Sequence, residues 1–304
     1  MTQAQTAHRT NWPLVSVCIP SYNQEAYIGQ AIESVLAQSY ANFECLVVDD
    51  ASLDSTFEVA QRYGDPRIKV ARNPSNLGIE GNWNRVVENA QGKYIKVLCG
   101  DDVIYPRCLE RQVLALEQAR HANAALACCA RDVITPHSVR ILTRRTVSHD
   151  KLITGLDAIR KNIRSGSNLI GEPSGILMRA ELLRKVGRFD GAVPYLIDLD
   201  MWVRMLLHGD LVMLAEPLFA FRISQTALSF TLANRQSREY CAFIDRMRRV
   251  RHIKDIRPHD ALVGKLMSYV KMFARRVFYL FFLSKYLSRA APKGAVLPLK
   301  GHRP

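Results

Sequence analysis

An α/β fold with a mostly parallel central sheet flanked by helices is what three features of this sequence predict. Short β-branched or apolar runs alternate with helical patterns through the first half of the chain, the signature of strand–helix–strand units. Polar clusters follow three of those runs directly, and in parallel sheets ligands bind beyond the carboxyl ends of the strands. Apolar residues make up 48% and charged residues 23% of the 304 positions. That supports a sizeable core and excludes a disordered chain, a collagen-like repeat or a small disulfide scaffold.

Residues 14–19 read as a buried strand, and 25–38 as a helix with Ile28, Ile32, Val35 and Leu36 on one face. Residues 44–48 form the next strand, and Asp54 is placed to cap a helix running to about Tyr63. A strand over 67–71, a glycine-opened helix over 79–90 and a strand over 94–98 complete the regular part. Beyond it, 124–134 reads as a strand and 135–150 as a polar excursion. Residues 156–164, 179–186 and 199–207 read as helices, and 219–223 as a closing strand. From Ala233 to Pro292 nearly everything reads as helix. The expected organisation is a flexible start (1–12), a catalytic α/β domain (13–229) and a basic helical region (230–304).

Each of the three polar clusters has chemical content. Pro20-Ser21-Tyr22-Asn23 offers an exposed aromatic, Asp49-Asp50-Ala51-Ser52-Leu53-Asp54 a run of carboxylates, and Cys99-Gly100-Asp101-Asp102 an adjacent carboxylate pair. Taken singly, each has a plain structural use as turn or helix cap. Together on one sheet edge they suit a nucleotide: an aromatic face for a base, a carboxylate for its ring N–H, and a carboxylate pair for the Mg²⁺ or Mn²⁺ that neutralises a diphosphate. Gly100 removes bulk where a ligand approaches.

These motifs, in this order, resemble the family 2 glycosyltransferases of GT-A fold. The matching text is VSVCIPSYNQEAYIGQAIESVLAQSYANFECLVVDDASLDST followed by NLGIEGNWNRVVENAQGKYIKVLCGDD, and the likeness extends over about 13–229. The resemblance implies metal-dependent, inverting transfer of a hexosyl or deoxyhexosyl group from a nucleoside-diphosphate sugar to a hydroxyl acceptor. The acceptor it suggests is a saccharide or lipid-linked saccharide of a cell-envelope polysaccharide. It places Tyr22 on the base, Asp50 at the base edge, Asp101 on the donor and Asp102 on Mn²⁺ or Mg²⁺, with Pro20, Asn23 and Glu25 shaping the pocket. Asn76 and Gly78 match the family's N-x-G turn beside the donor. Where many members carry Ala-Arg-Asn this chain has Asn82-Trp83-Asn84, leaving open whether Arg85 supplies the donor-side arginine.

Inversion by single displacement needs a general base. The run Ile197-Asp198-Leu199-Asp200-Met201-Trp202 resembles the family's E-D-x-D-L-W helix start, which makes Asp198 the expected base, although the preceding glutamate is here Ile197. Helix capping is the competing role for Asp198. Asp200, Trp202 and the turn Glu172-Pro173-Ser174 are the expected acceptor side. A histidine that completes the metal shell in many members is missing from Phe221-Arg222-Ile223-Ser224-Gln225.

Charge is segregated along the chain. Residues 1–234 carry 25 basic and 24 acidic side chains, whereas 235–304 carry 17 and 4, so nearly all of the formal +14 lies in the last 70 residues. Leu262, Leu266, Tyr269, Phe273, Val277, Leu280 and Leu287 recur at helical spacing, with Lys271, Arg275, Lys285 and Arg289 opposite and Phe278, Phe281 and Phe282 adding bulk. Such a helix lies in an anionic membrane surface or packs on the catalytic domain. The seven cysteines are odd in number, lack a C-x-x-C pair and mostly sit in apolar runs, as expected of buried thiols in a cytoplasmic protein. The first twelve residues lack an apolar signal core, and the longest apolar run, 277–283, is too short to span a bilayer. A cytoplasmic location is therefore expected, with the basic helix open to peripheral contact with the inner face of a membrane. A non-catalytic nucleic-acid or anionic-surface binder is the main alternative, but nucleic acid finds no basic patch in the balanced first 234 residues. A nicotinamide oxidoreductase lacks its G-x-G-x-x-G after the first strand.

Overall fold

The computed structural model describes residues 12–118, 123–223 and 236–278. The expected flexible start, the boundary at 229/230 and the basic residues beyond Phe278 lie wholly or largely outside them. In chain order the elements are β1 (Val15–Ser21), α1 (Ile28–Leu36), β2 (Phe43–Asp49), α2 (Thr56–Gln61), β3 (Ile68–Arg72), α3 (Gly78–Glu88), β4 (Tyr94–Val97), β5 (Val103–Ile104), α4 (Cys108–Gln118) and β6 (Ala124–Ile134). There follow β7 (Arg140–Arg144), β8 (Lys151–Ile153), α5 (Gly155–Ser165), β9 (Ile176–Arg179), α6 (Ala180–Val186), α7 (Ile197–Leu206), β10 (Asp210–Arg222), α8 (Gln236–Arg249) and α9 (Pro258–Phe278).

The strands form one sheet of order β3-β2-β1-β4-β9-β6-β10-β5, with β7 beside β6 and β8 beside β10. The β3-β2-β1-β4 portion is parallel, as is the β6–β10 pair. β9 joins the two groups by pairing antiparallel with both β4 and β6. The sheet is thus more mixed than the strand–helix alternation suggests, because the antiparallel members are short or arise as hairpins. Alternate residues of the first strands serve opposite faces: Val15, Val17 and Ile19 pack with α1, while Cys18, Leu46 and Val48 pack under α3 and α7. Both faces are covered, which is why these strands read as continuous apolar runs.

Several details depart from the sequence reading, among them the short strands β5 and β8. Helix α4 was not foreseen; it buries Leu109, Val113 and Leu116 but also Gln112, which blurs its apolar face. The polar excursion over 135–150 contains strand β7, half-exposed and therefore without a hydrophobic signature. The closing strand is thirteen residues long, not five.

The C-terminal helices α8 and α9 pack on the α/β body. Tyr240, Phe243, Ile244 and Met247 of α8 and Ala261 of α9 join the core cluster under α7. α9 lies close against α5 because a Cβ at Gly264 would stand 2.2 Å from the Ile163 carbonyl oxygen, and one at Gly166 2.3 Å from the Ser268 nitrogen. Asp260, fully buried, is held by Arg160, Arg164 and His259. The packed face of α9 is thus Ala261, Gly264 and Ser268, not the apolar stripe that the sequence singles out.

Candidate active site

Parallel register decides where the polar clusters meet. Ser21 pairs with Asp49 at the ends of β1 and β2, and Cys18 with Val97 near the end of β4. The segments following all three strands therefore emerge along one edge. The Tyr22–Glu25 turn is sewn to the loop after β2: Asn23 N–H donates to Ser52 Oγ at 2.9 Å, Gln24 N–H to Thr56 Oγ1 at 2.6 Å, and Glu25 N–H to Asp54 Oδ2 at 3.0 Å. In return Asn23 Oδ1 accepts from Leu53 N–H and Glu25 Oε2 from Ser55 N–H. Asn23 and Glu25 build the turn, and Tyr22 is left 41% exposed at its tip. Pro20 lies within β1, opposite Val48.

Asp50, just past β2, is buried. Its Oδ1 accepts from Asn73 Nδ2 at 2.7 Å and from Leu77 N–H at 2.9 Å, whereas Oδ2 has no hydrogen-bond partner among the described residues. Asn76 Oδ1 accepts from Gly78 N–H, where Gly78 opens α3 at φ +73°. Asn82 Nδ2 donates to the carbonyl oxygen of Val48, and Asn82 Oδ1 accepts from Asn73. Arg85, three residues on, lies exposed on α3 and is not joined to this network.

The carboxylate pair is the most charged part of the pocket. One carboxylate oxygen each from Asp101 and Asp102 and the Cys99 Sγ lie within 4.8 Å of one another. Burial pushes the Asp101 carboxyl up, and burial together with the neighbouring Asp101 pushes Asp102 up further. Two crowded carboxylates of this kind fit a hard divalent cation, which would relieve their mutual repulsion. The Cys99 thiol, held protonated by burial and by Asp102, is the wrong donor for such an ion. Asp102 is fixed on both oxygens: Ser174 Oγ donates at 2.6 Å and Arg222 N–H at 3.0 Å. The same Ser174 hydroxyl accepts from Cys99 N–H, which ties the Glu172-Pro173-Ser174 turn to the pair.

Arg222 is the residue whose part the sequence did not reveal. Fully buried at the end of β10, it donates to the carbonyl oxygens of Asp101, Thr135 and Pro136, to Ser138 Oγ and to Gln30 Oε1, and it stacks on Tyr27 at 4.7 Å. It is the cation beneath the pair. Arg222→Met should lower stability by about 3 kcal/mol or more, since a buried charge partner and several carbonyl partners are lost together. Urea unfolding followed by tryptophan fluorescence reads this directly.

Asp198 sits in the first turn of α7, buried. Its Oδ1 accepts from Leu199 N–H at 2.7 Å and its Oδ2 from Asn168 Nδ2 at 3.0 Å. The helix has Leu196 at its cap position and no side-chain cap there, so the Asp198 carboxylate satisfies one first-turn N–H with one oxygen and faces Asn168 with the other. Burial, reinforced by the charge of Glu172, raises its carboxyl to about 7. Glu172 acts on Asp102 in the same sense and so lies near both Asp102 and Asp198. Its Oε1 meets Arg131 at 2.7 Å, and its Oε2 is buried without a hydrogen-bond partner.

The expected acceptor-side residues divide. Ser174 and Glu172 join the pocket, with Pro173 in the turn between them. Asp200 does not: two positions along a helix turn it about 200° away from Asp198. It is buried among Arg204 at 2.6 Å and Arg251 at 3.2 Å, tying α7 to the segment after α8. Trp202 is fully buried, and its Nε1 donates to the Gly171 carbonyl oxygen, so it supports the Glu172 turn from below. Asn168, not singled out by sequence, braces both that turn and Asp198.

A family model described as glycosyl transferase family 2 matches residues 16–187. The chain is 32% identical over 231 residues to the uncharacterized glycosyltransferase RP339 of Rickettsia prowazekii, covering 75% of this chain and 69% of that protein. It is 43% identical over 107 residues to TuaG of Bacillus subtilis, a glycosyltransferase named for teichuronic acid biosynthesis, covering 34% of this chain and 42% of TuaG. Among solved structures, S. aureus TarS 1–349 in complex with UDP superposes with a TM-score of 0.60 at 18% identity, over 92% of this chain and 75% of that one.

Proposed function

Because the chain belongs to glycosyl transferase family 2, we propose that it moves a hexosyl or deoxyhexosyl group from a nucleoside-diphosphate sugar to a hydroxyl acceptor, with inversion, by single displacement. The observation that carries this reading is a braced carboxylate pair and, separate from it but sharing the influence of Glu172, a buried carboxyl raised to about 7. The paired acids and the lone acid have different surroundings and hence different tasks.

On the donor side Tyr22 stacks on the base, Asp50 Oδ2 accepts from its ring N–H, and the Asn76–Gly78 turn closes beside it. Asp101 and Asp102 would hold Mn²⁺ or Mg²⁺, which would supply the positive charge that neutralises the donor diphosphate. Asp198 accepts the proton of the attacking hydroxyl. The elevated carboxyl suits this task, since a base works best when its pKa lies near the working pH. Glu172 and Ser174 line the acceptor side. The complex of TarS with UDP and the name of TuaG support a nucleotide donor and an acceptor in cell-envelope polysaccharide synthesis. No helix among the described residues is long and apolar enough to cross a membrane, and we place the enzyme peripherally on the cytoplasmic face.

Calorimetric titration of UDP, GDP and dTDP with and without Mn²⁺ tests the donor site. One nucleotide should bind, more tightly with metal; an inert protein across all six conditions refutes the reading. Tyr22→Ala should weaken that binding about tenfold, because stacking on a base contributes about 1–3 kcal/mol, whereas Tyr22→Phe should leave it unchanged.

A further inference from the structure

Elements α5, β8 and α9 form one side of the molecule. A cleft of about 630 Å³ opens there, with an apolar floor that includes Leu169, Val263 and Met267 and with Lys151, Lys161 and Arg164 among its lining residues; no acidic residue lines it. Lys151 and Lys161 have no ion-pair partner among the described residues, and Arg164 reaches Asp260 only at 3.7 Å. Beside the cleft runs the outer face of α9. Leu262, Leu266 and Phe273 are 71%, 65% and 69% exposed, and Tyr269 and Val270 about half. The opposite face is the one that packs, so the exposed stripe is not needed to hold α9 in place. At 100° per residue, Val263, Val270 and Met267 lie between the stripe and the cleft, making one continuous apolar surface bordered by cations.

We propose that this surface docks on a bilayer of anionic phospholipid, with α9 lying in the interface and the cleft taking one lipid, its phosphate toward the three cations. Charge selects this occupant. A second copy of the chain facing itself would bring the same cations together, whereas an anionic headgroup neutralises them. The chain continues past α9 for 26 residues with five lysines and arginines, no acid, and Leu280, Phe281, Phe282 and Leu283 at its start, the composition of an interfacial segment. Docking this way also orients the enzyme. Leu169 and Ile170 of the cleft lead directly into Gly171 and Glu172, and Asn168 braces Asp198, so the docked face is joined by a short stretch of chain to the expected acceptor side.

The test is flotation of the full-length protein with phosphatidylglycerol or phosphatidylcholine vesicles. Wild type should float with the anionic vesicles only, and less as salt rises. Leu266→Glu with Phe273→Glu should cut flotation at least tenfold, as should Lys151→Glu with Lys161→Glu, each with an unchanged thermal midpoint. Where a glutamate pair unfolds the chain, Leu266→Ser with Phe273→Ser replaces it. Equal flotation with both lipids, none with either, or binding that neither pair of substitutions alters overturns the proposal. So does a stripe variant that only dissociates a dimer. Vesicle binding requires no sugar transfer, so its failure leaves the nucleotide reading standing, and the reverse holds.

Discussion

Asp198→Asn is expected to lower sugar transfer about 10³-fold, within the range for removing a general base, while nucleoside diphosphate binding stays nearly unchanged. The substitution keeps the shape of the side chain and removes only its ability to take a proton. With the Asp198 carboxyl raised to about 7, the wild-type rate should also climb with pH. The ionised form is the active one, so kcat/KM falls about tenfold per pH unit well below 7 and levels off above it. The variant's residual rate should lack that step. A Michaelis analysis over pH 5–9 measures both.

The same residue makes an opposite prediction for stability, which separates a base from a structural acid. A carboxyl whose folded pKa lies above its unfolded one, 3.8 against about 7 here, holds its proton in the native state between those values. Stability is therefore lost as pH rises through that window, and the cost is fully present above 7. Asp198→Asn removes the buried charge and gives up one hydrogen bond from Asn168. At pH 8 it should stabilise the protein by about 2 kcal/mol, or a few degrees in Tm, a gain that vanishes by pH 5. An acid that served only to hold its helix would show the reverse sign at pH 8.

The grouping of this candidate site was legible because its residues stand immediately after strands, and parallel register carries such positions to one edge. Tyr22, Asp50, Asp101 and Asp102 follow β1, β2 and β4 within five residues; no long-range information was needed to group them. Asp198 could be read from its helix start, but the raised pKa could not, since it depends on Glu172 and on burial supplied by distant segments. Arg222 shows the limit more sharply. It sits 120 residues from Asp102, inside a strand whose pattern gives no hint of a buried guanidinium. Asp200 and Trp202 failed for a different reason. They share a short motif with Asp198, yet helical geometry sends Asp200 to Arg204 and Arg251, while Trp202 turns under the Gly171 carbonyl. Proximity in sequence is a poor guide on a helix, where two residues apart means opposite sides.

Asp102→Asn should reduce kcat/KM about 10³-fold, or about 4 kcal/mol, the scale of charge stabilisation at a metal-assisted transfer. The two oxygens of Asp102 already accept from Ser174 Oγ and Arg222 N–H, and a carboxylate oxygen can accept more than one partner. One acceptor position on each oxygen thus fixes the group, and further lone pairs remain on both. An amide keeps the volume, halves the acceptor capacity and removes the negative charge that a divalent cation requires. The discriminating readout is the dependence on metal rather than the loss itself. Wild type should bind its nucleoside diphosphate far more tightly with Mn²⁺ than without, whereas in Asp102→Asn the two affinities should converge on the metal-free value. Ser174→Ala is the companion: it frees one oxygen of Asp102 without touching the charge, so Mn²⁺ should still strengthen nucleotide binding, by a smaller factor. Equal metal enhancement in wild type and Asp102→Asn would leave the carboxylate pair as part of the scaffold and require the donor diphosphate to be neutralised by other groups.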